Sequence, residues 1–301
     1  MTRLAALALT LLWVLAAPAL RPATALTLTD QTGRAVVLPA LPGRIISLVP
    51  SVTEIVFTVG AQDRLVGVTD FCDYPDDARR KPSVGSMLSP SLELIVALKP
   101  DLVVATTSGN RAETFDQLAR LNIPVYLVNP ITTADVLDLI ERLGRLTDHA
   151  DAADRVVVGL RERIAAVAGR VAARPRPRVF YVLWPDPLIV PGRGALVSEL
   201  IALAGGDSVT ADSGDGYPRY SMEAAVARNP EIIVFASHGS ERSQIVRSKW
   251  EVLEQMPAVR AGRLHSVDGN LMHRYGPRMV DGLEILARLI HPGAFAGDPK
   301  R

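Results

Sequence analysis

Ser91-Leu-Glu-Leu-Ile-Val-Ala-Leu-Lys-Pro-Asp-Leu-Val-Val-Ala105 returns, without a gap, as Ser221-Met-Glu-Ala-Ala-Val-Ala-Arg-Asn-Pro-Glu-Ile-Ile-Val-Phe235. Six of the fifteen positions are identical. Each copy opens with Ser and, two residues on, Glu, which marks a helix start. The hydroxyl can accept from an unpaired backbone N–H, and the carboxylate favours the positive end of the helix dipole. Pro100 and Pro230 stop the helix. An acidic residue then leads into an unbroken apolar, β-branched run, which predicts a strand covered on both faces. A helix–turn–strand unit that occurs twice in one chain predicts an α/β protein of two similar Rossmann-like lobes with parallel sheets.

Before the first copy, positions 26–42 read as a hairpin around Thr32-Gly33. A strand at 44–49 runs into a helix ending at Gly60, with Ser51 and Glu54 at capping-box spacing. A strand at 65–68 and the polar, aromatic loop Thr69 to Tyr74 follow. After the copy come a helix at 112–121, a strand at 125–128 and a helix at 133–146. Positions 148–174 differ. Val156, Val157, Leu160, Ile164, Val167 and Val171 keep helical spacing as far as Pro175. That pattern predicts one helix of about 25 residues. A helix of that length between two lobes is a stiff strut. The second lobe is expected to hold strands at 179–183 and 264–267, with helices at 195–204, 243–255 and 279–290. The expected division is a lobe at 44–147, the connecting helix at 148–174 and a second lobe at 175–295.

Positions 1–25 stand apart. Met1-Thr-Arg, an apolar run from Leu4 to Leu20 and Ala23-Thr24-Ala25 have the three parts of a cleavable signal peptide. Pro18 and Arg21 interrupt the run, so a membrane anchor fits less well. No cysteine follows to carry a lipid. Secretion is therefore expected, with a mature chain of about 275 residues, enough for two lobes. Losing Arg3 and Arg21 leaves 31 of the 33 basic residues against 32 acidic ones. That balance excludes nucleic acid, whose phosphates require a basic face. Cys72 is the sole cysteine, so no intramolecular disulfide can form.

Enzyme motifs are missing. Gly192-Arg-Gly194 begins a dinucleotide pattern that Val197 breaks, so a turn is expected there. Neither a nucleophile elbow nor a phosphate-binding loop occurs. The five histidines are scattered without ligand spacing. Asp212 to Asp215 reads as a solvated turn rather than a calcium loop. What remains are loops beyond the carboxyl ends of the strands, where open α/β sheets bind ligands. The first lobe offers Pro50-Ser51, Asp70 to Tyr74 and Thr106 to Asn110. The second offers Trp184-Pro185, Tyr217 and Asn270 to Arg278. Aromatic and methionine walls with one or two arginines suit a large flat ligand.

Several of these stretches carry a resemblance over about 44–292. They are Arg44-Ile-Ile-Ser-Leu-Val-Pro-Ser-x-x-Glu54, Leu65-Val-Gly-Val68, Asp73-Tyr-Pro75, the first copy of the repeat, Ala258-Val-Arg-Ala-Gly-Arg263, Gly276-Pro-Arg278 and His291-Pro292. Together they resemble the periplasmic substrate-binding proteins for cobalamin, iron–siderophore complexes and haem that serve ABC importers. Through the spacing from Tyr74 to Glu93 the chain is most similar to the vitamin B12 branch.

The resemblance implies two lobes joined by one long helix and no enzymatic activity. It implies a monomer whose partners are a membrane permease and its ATPase subunits. It also matches Glu93 and Glu223 to acidic residues that dock onto permease arginines. Ser51, Tyr74, Met87, Trp184, Tyr217 and Arg274 are the expected ligand contacts. Met87 stands where the cobalamin binder places a tryptophan, and Asn270 replaces an acidic residue. Haem binders of this kind often supply a tyrosine close to the Met87 position, but here its neighbours are Ser86 and Leu88. Cobalamin or a related corrinoid is thus the expected cargo, followed by a ferric siderophore and then haem, with no resident cofactor or metal. A ligand sensor for a membrane receptor is the alternative from another class.

Overall fold

A computed structural model describes residues 25–237, 248 and 250–297. The proposed signal peptide and part of the helix expected at 243–255 lie outside those residues.

The chain opens with the antiparallel hairpin β1 (Leu26–Thr29) and β2 (Ala35–Leu38). It turns at Gly33, whose φ of +86° suits a residue without a Cβ. The first lobe comprises β3 (Ile45–Ser47), α1 (Pro50–Thr58), β4 (Leu65–Gly67), α2 (Leu92–Ala97), β5 (Leu102–Thr106), α3 (Ala112–Arg120), β6 (Val125–Val128) and α4 (Thr133–Leu146). The strut α5 (Ala150–Val171) follows. At the helical rise per residue it is about 33 Å long. The second lobe holds β7 (Arg178–Val182), the short hairpin β8 (Trp184–Pro185) and β9 (Leu188–Ile189), α6 (Leu196–Leu203), β10 (Asp207–Ser208), α7 (Met222–Ala227) and β11 (Ile232–Ser237). It ends with α8 (Pro257–Arg260), β12 (Leu264–Asp268), α9 (Gly269–His273) and α10 (Met279–Ile290).

Each lobe is built on a parallel four-stranded sheet, ordered β4-β3-β5-β6 and β10-β7-β11-β12. Setting the β8–β9 hairpin aside, the strand order within each lobe is second, first, third, fourth. The repeated stretch supplies α2–β5 and α7–β11, the third strand of each sheet.

Its equivalence extends to hydrogen bonds. Ser91 and Ser221 accept from Leu94 N and Ala224 N at 3.3 and 3.1 Å. Lys99 and Asn229 take the left-handed conformation before the prolines, with φ of 46° and 50°. Asp101 and Glu231 accept from the backbone N–H of Arg44 and Arg178, both at 2.9 Å. Those arginines in turn donate Nε to the carbonyls of Lys99 and Asn229, both at 2.9 Å.

Strand alternation divides the core. Leu102 and Val104 of β5 join Ile232 and Val234 of β11 in one apolar cluster shared by both lobes and α5. Val103 and Ala105 pack on the outer side of the first lobe, Ile233 and Phe235 on that of the second. The strut packs against α4 and α10, burying Val157, Leu160, Val167 and Val171. Where α4 meets it, a Cβ on Gly144 would collide with Ala153, so the close approach requires glycine.

The capping box expected of Ser51 and Glu54 does not form. Val49 is the N-cap, and Pro50 takes the first helical position, where its fixed φ and missing N–H cost nothing. That places both residues inside the helix and frees Glu54 for another partner. The capping box is instead at Thr132 and Asp135, opening α4.

Candidate functional site

The carboxyl ends of the two sheets face one another, and charged side chains join them. Glu54 on α1 is 2% exposed. Its Oε2 and Oε1 accept from Arg278 Nε and Nη2 at 2.9 and 2.6 Å. Arg274, at the end of α9, donates Nη1 to Glu54 Oε1 at 3.3 Å and to Asp73 Oδ1 at 2.5 Å. The Arg278 guanidinium lies 3.7 Å from the centre of the Tyr74 ring, a cation–π contact. Three residues of the first lobe thus meet two of the second.

This clustering shifts protonation. Partial burial would raise the Asp73 carboxyl, but the hydrogen bond and charge of Arg274 outweigh it, and the group is held below its ordinary value. Burial opposes the charge on Arg278, yet Glu54 overrides that and raises it.

Further from the junction, Asn110 anchors the first lobe's mouth. Its Oδ1 accepts from Thr106 N at 2.8 Å, and its Nδ2 donates to the carbonyls of Leu48 and Met87 at 3.2 and 2.7 Å. One buried amide therefore ties the ends of β3 and β5 to the loop that carries Met87. The Met87 side chain lies over Gly109, where a Cβ would meet its methyl group.

The expected ligand contacts are placed unevenly. Tyr74 is 45% exposed, and Met87, Trp184 and Tyr217 are partly exposed. Ser51 is buried and lies against Gly276. The Tyr217 hydroxyl is engaged with that of Tyr275 at 2.9 Å, and burial pushes it well above the ordinary phenol range. Arg274 is committed to carboxylates rather than standing free. Cys72 is buried beside Thr53 and Thr69, at 3.1 and 3.3 Å.

Glu93 and Glu223 occupy the first turns of α2 and α7. Both are exposed. Backbone and Ser221 hydrogen bonds hold Glu223 below its ordinary value. Of the Asp212 to Asp215 turn, Asp212 forms a two-pronged pair with Arg228 at 2.9 and 3.1 Å. A cavity of about 330 Å³ lies along the strut between Thr58, Arg155, Gly159, Arg163, Arg278 and Asp281, so it shares Arg278 with the junction but holds none of the expected ligand contacts. Among the described residues no cluster of His, Cys, Asp and Glu could hold a metal ion. None of their helices is long and apolar enough to cross a membrane.

Sequence reasoning does not assemble Glu54, Asp73 and Arg278 into a set. Each lies in one of the quoted stretches, Ser51-x-x-Glu54, Asp73-Tyr-Pro75 and Gly276-Pro-Arg278, but nothing in those stretches says that they touch. Nor does it single out Glu199 on α6, whose carboxylate accepts from Thr133 N at 2.9 Å across the lobes.

Comparison with known proteins places the chain. The model of a family described as periplasmic binding protein matches residues 45–271. The vitamin B12-binding protein of Photorhabdus laumondii is 32% identical over 254 residues, 84% of this chain and 90% of that one. Its counterpart in Vibrio parahaemolyticus is 30% identical over 240 residues, covering 80% and 86%. Among solved structures, the periplasmic vitamin B12 binding protein of Vibrio cholerae superimposes with a TM-score of 0.75. It is 28% identical and covers 84% of this chain and 98% of its own. A periplasmic heme binding protein from Pseudomonas aeruginosa gives 0.74 at 27% identity, covering 84% and 94%.

Proposed function

Because the chain belongs to the periplasmic binding protein family, we propose that it captures cobalamin or a related corrinoid between its lobes and delivers it to a membrane permease. Family members are substrate-binding components of ABC transporters. The chain is a solute-binding protein of the class that takes vitamin B12, haem and siderophores, not an enzyme.

The observation that carries the proposal is the meeting of the two strand-end edges at Glu54, Asp73, Arg274 and Arg278. Tyr74 stacks on Arg278 there, and Tyr217 is hydrogen-bonded to Tyr275, the neighbour of Arg274; in this reading Met87 and Trp184 complete the walls. Rings and a polarisable thioether provide flat apolar walls for a macrocycle. Arg274 supplies the polar group at their base, with Ser51 buried behind it against Gly276. The identity to vitamin B12-binding proteins supports a corrinoid over other chelates.

In this proposal residues 1–25 direct export to the periplasm and are removed. Residues 44–147 and 175–295 act as the two jaws, and 148–174 keep them at a near-constant separation. Glu93 and Glu223, one on each lobe, dock the loaded protein onto arginines of the permease. The ATPase subunits do the work of transport.

Titration of the mature protein with cyanocobalamin tests the cargo, with tryptophan fluorescence and calorimetry as readouts. Saturable one-to-one binding, micromolar or tighter, is expected. No binding removes the corrinoid and puts ferric siderophores first, a second assignment favoured by Met87, which lacks an aromatic face to select a corrin.

A further inference from the structure

The cations at the lobe junction are already matched. Arg278 is gripped by both oxygens of Glu54, and Asp268 is near enough to act on it as well. Arg274 bridges Glu54 and Asp73. The third cation, Arg79, has a side chain 62% exposed and reaches Asp73 at 3.7 Å and Asp76 at 3.9 Å. A ligand that brings its own carboxylates finds no uncommitted arginine among these three.

Recruiting one is costly. Turning Arg278 onto an anionic ligand would leave the buried Glu54 without its two-pronged partner. A buried carboxylate left with only the 3.3 Å contact to Arg274 costs more than a solvent-facing ion pair returns. Withdrawing Arg274 would leave Asp73 with only the distant, screened Arg79. A neutral carbonyl makes no such demand. Arg274 spends Nε on Asn270 Oδ1 at 3.0 Å and Nη1 on the two carboxylates. Its Nη2 has no hydrogen-bond partner among the described residues, so it can donate to an amide oxygen while the ion pairs stay intact.

We propose that Asp73 sets the charge selectivity of the cleft. By holding Arg274, it admits neutral, amide-bearing metal chelates and disfavours those that present carboxylates to the junction. This rests on the corrinoid reading of the site and assigns the residue that distinguishes one corrinoid, or one chelate class, from another.

The test compares two corrinoids that share a ring and differ in side-chain charge. Dicyanocobinamide carries amides, and dicyanocobyrinic acid carries carboxylates at the ring periphery. Calorimetry on the mature protein should give at least tenfold weaker binding of the acid. In Asp73→Asn, which releases Arg274, that ratio should shrink at least fivefold, and its circular dichroism and cooperative thermal melt verify its fold. Arg79→Ala, a change at an exposed position, should widen the ratio instead. Equal affinity of the wild type for both corrinoids overturns the proposal while leaving the receptor standing. A ratio unchanged in Asp73→Asn overturns the assignment to Asp73. Failure of both corrinoids to bind overturns the corrinoid cargo and this proposal together.

Discussion

Glu54 and Arg278, far apart in the chain, form a two-pronged ion pair that joins the lobes. Each comes from an edge where parallel strands end, so the pair ties the two sheets together there. The carboxylate is almost fully buried and the arginine side chain is 17% exposed. Such a pair contributes little over an apolar contact of the same shape, but losing one partner strands the other.

Glu54→Gln is therefore expected to lower the unfolding free energy by about 3 kcal/mol. Arg79→Ala, which removes only solvent-facing pairs, should cost less than about 1 kcal/mol. Chemical denaturation of both variants checks the contrast, and equal losses would contradict the assignment of the buried pair as the joint.

Asp73 makes the junction sensitive to acid. Burial would raise its carboxyl, but Arg274 prevails and holds it below its ordinary value in the folded chain. The stabilisation is present above the unfolded value of about 3.9 and is lost as pH falls through the lower folded value. The difference in melting temperature between wild type and Asp73→Asn should stay constant from pH 7 to about 5. Below about pH 4 it should shrink. A difference that is the same at pH 2 and pH 7 would rule out the linkage.

Arg44 and Arg178 are equivalent clasps in different lobes, each donating to the backbone at the end of its own lobe's repeat helix. Replacing either by alanine should cost about 1 kcal/mol, the net worth of such hydrogen bonds. The double variant should lose the sum to within about 0.5 kcal/mol, as expected of distant sites. Chemical denaturation of the two single variants and the double variant checks this, and strong non-additivity would mean that the shared core transmits strain between the lobes.

Glu93→Arg combined with Glu223→Arg reverses both exposed charges presented by the repeat. Uptake of ligand by cells should be abolished, while the Kd of the purified variant stays within about twofold of wild type, since surface charges far from a site act weakly. Normal uptake by the double variant would sink the docking assignment.

Much of the fold is legible because it is written in short-range chemistry. The strand at 125–128 and the helices at 133–146 and 279–290 agree to the residue, since periodicity, caps and proline breaks are properties of neighbouring side chains. The strut is visible for the same reason, though it begins at Ala150 rather than at position 148. Asp148 takes a left-handed φ of 59°, which ends the preceding turn first.

The repeat alone determined the class of architecture: a helix, a turn at a proline and a buried strand, used twice. Only the tertiary structure decided what the polar side chains do. Glu54 carries helix-cap spacing yet answers to Arg278, Arg274 is a cation already bound to Asp73, and the Tyr217 hydroxyl belongs to Tyr275. Local sequence specifies backbone conformation through contacts within a few residues. Charge pairing at the junction depends on which strand ends the topology brings face to face, and residues from opposite ends of the chain leave no periodic trace of that meeting.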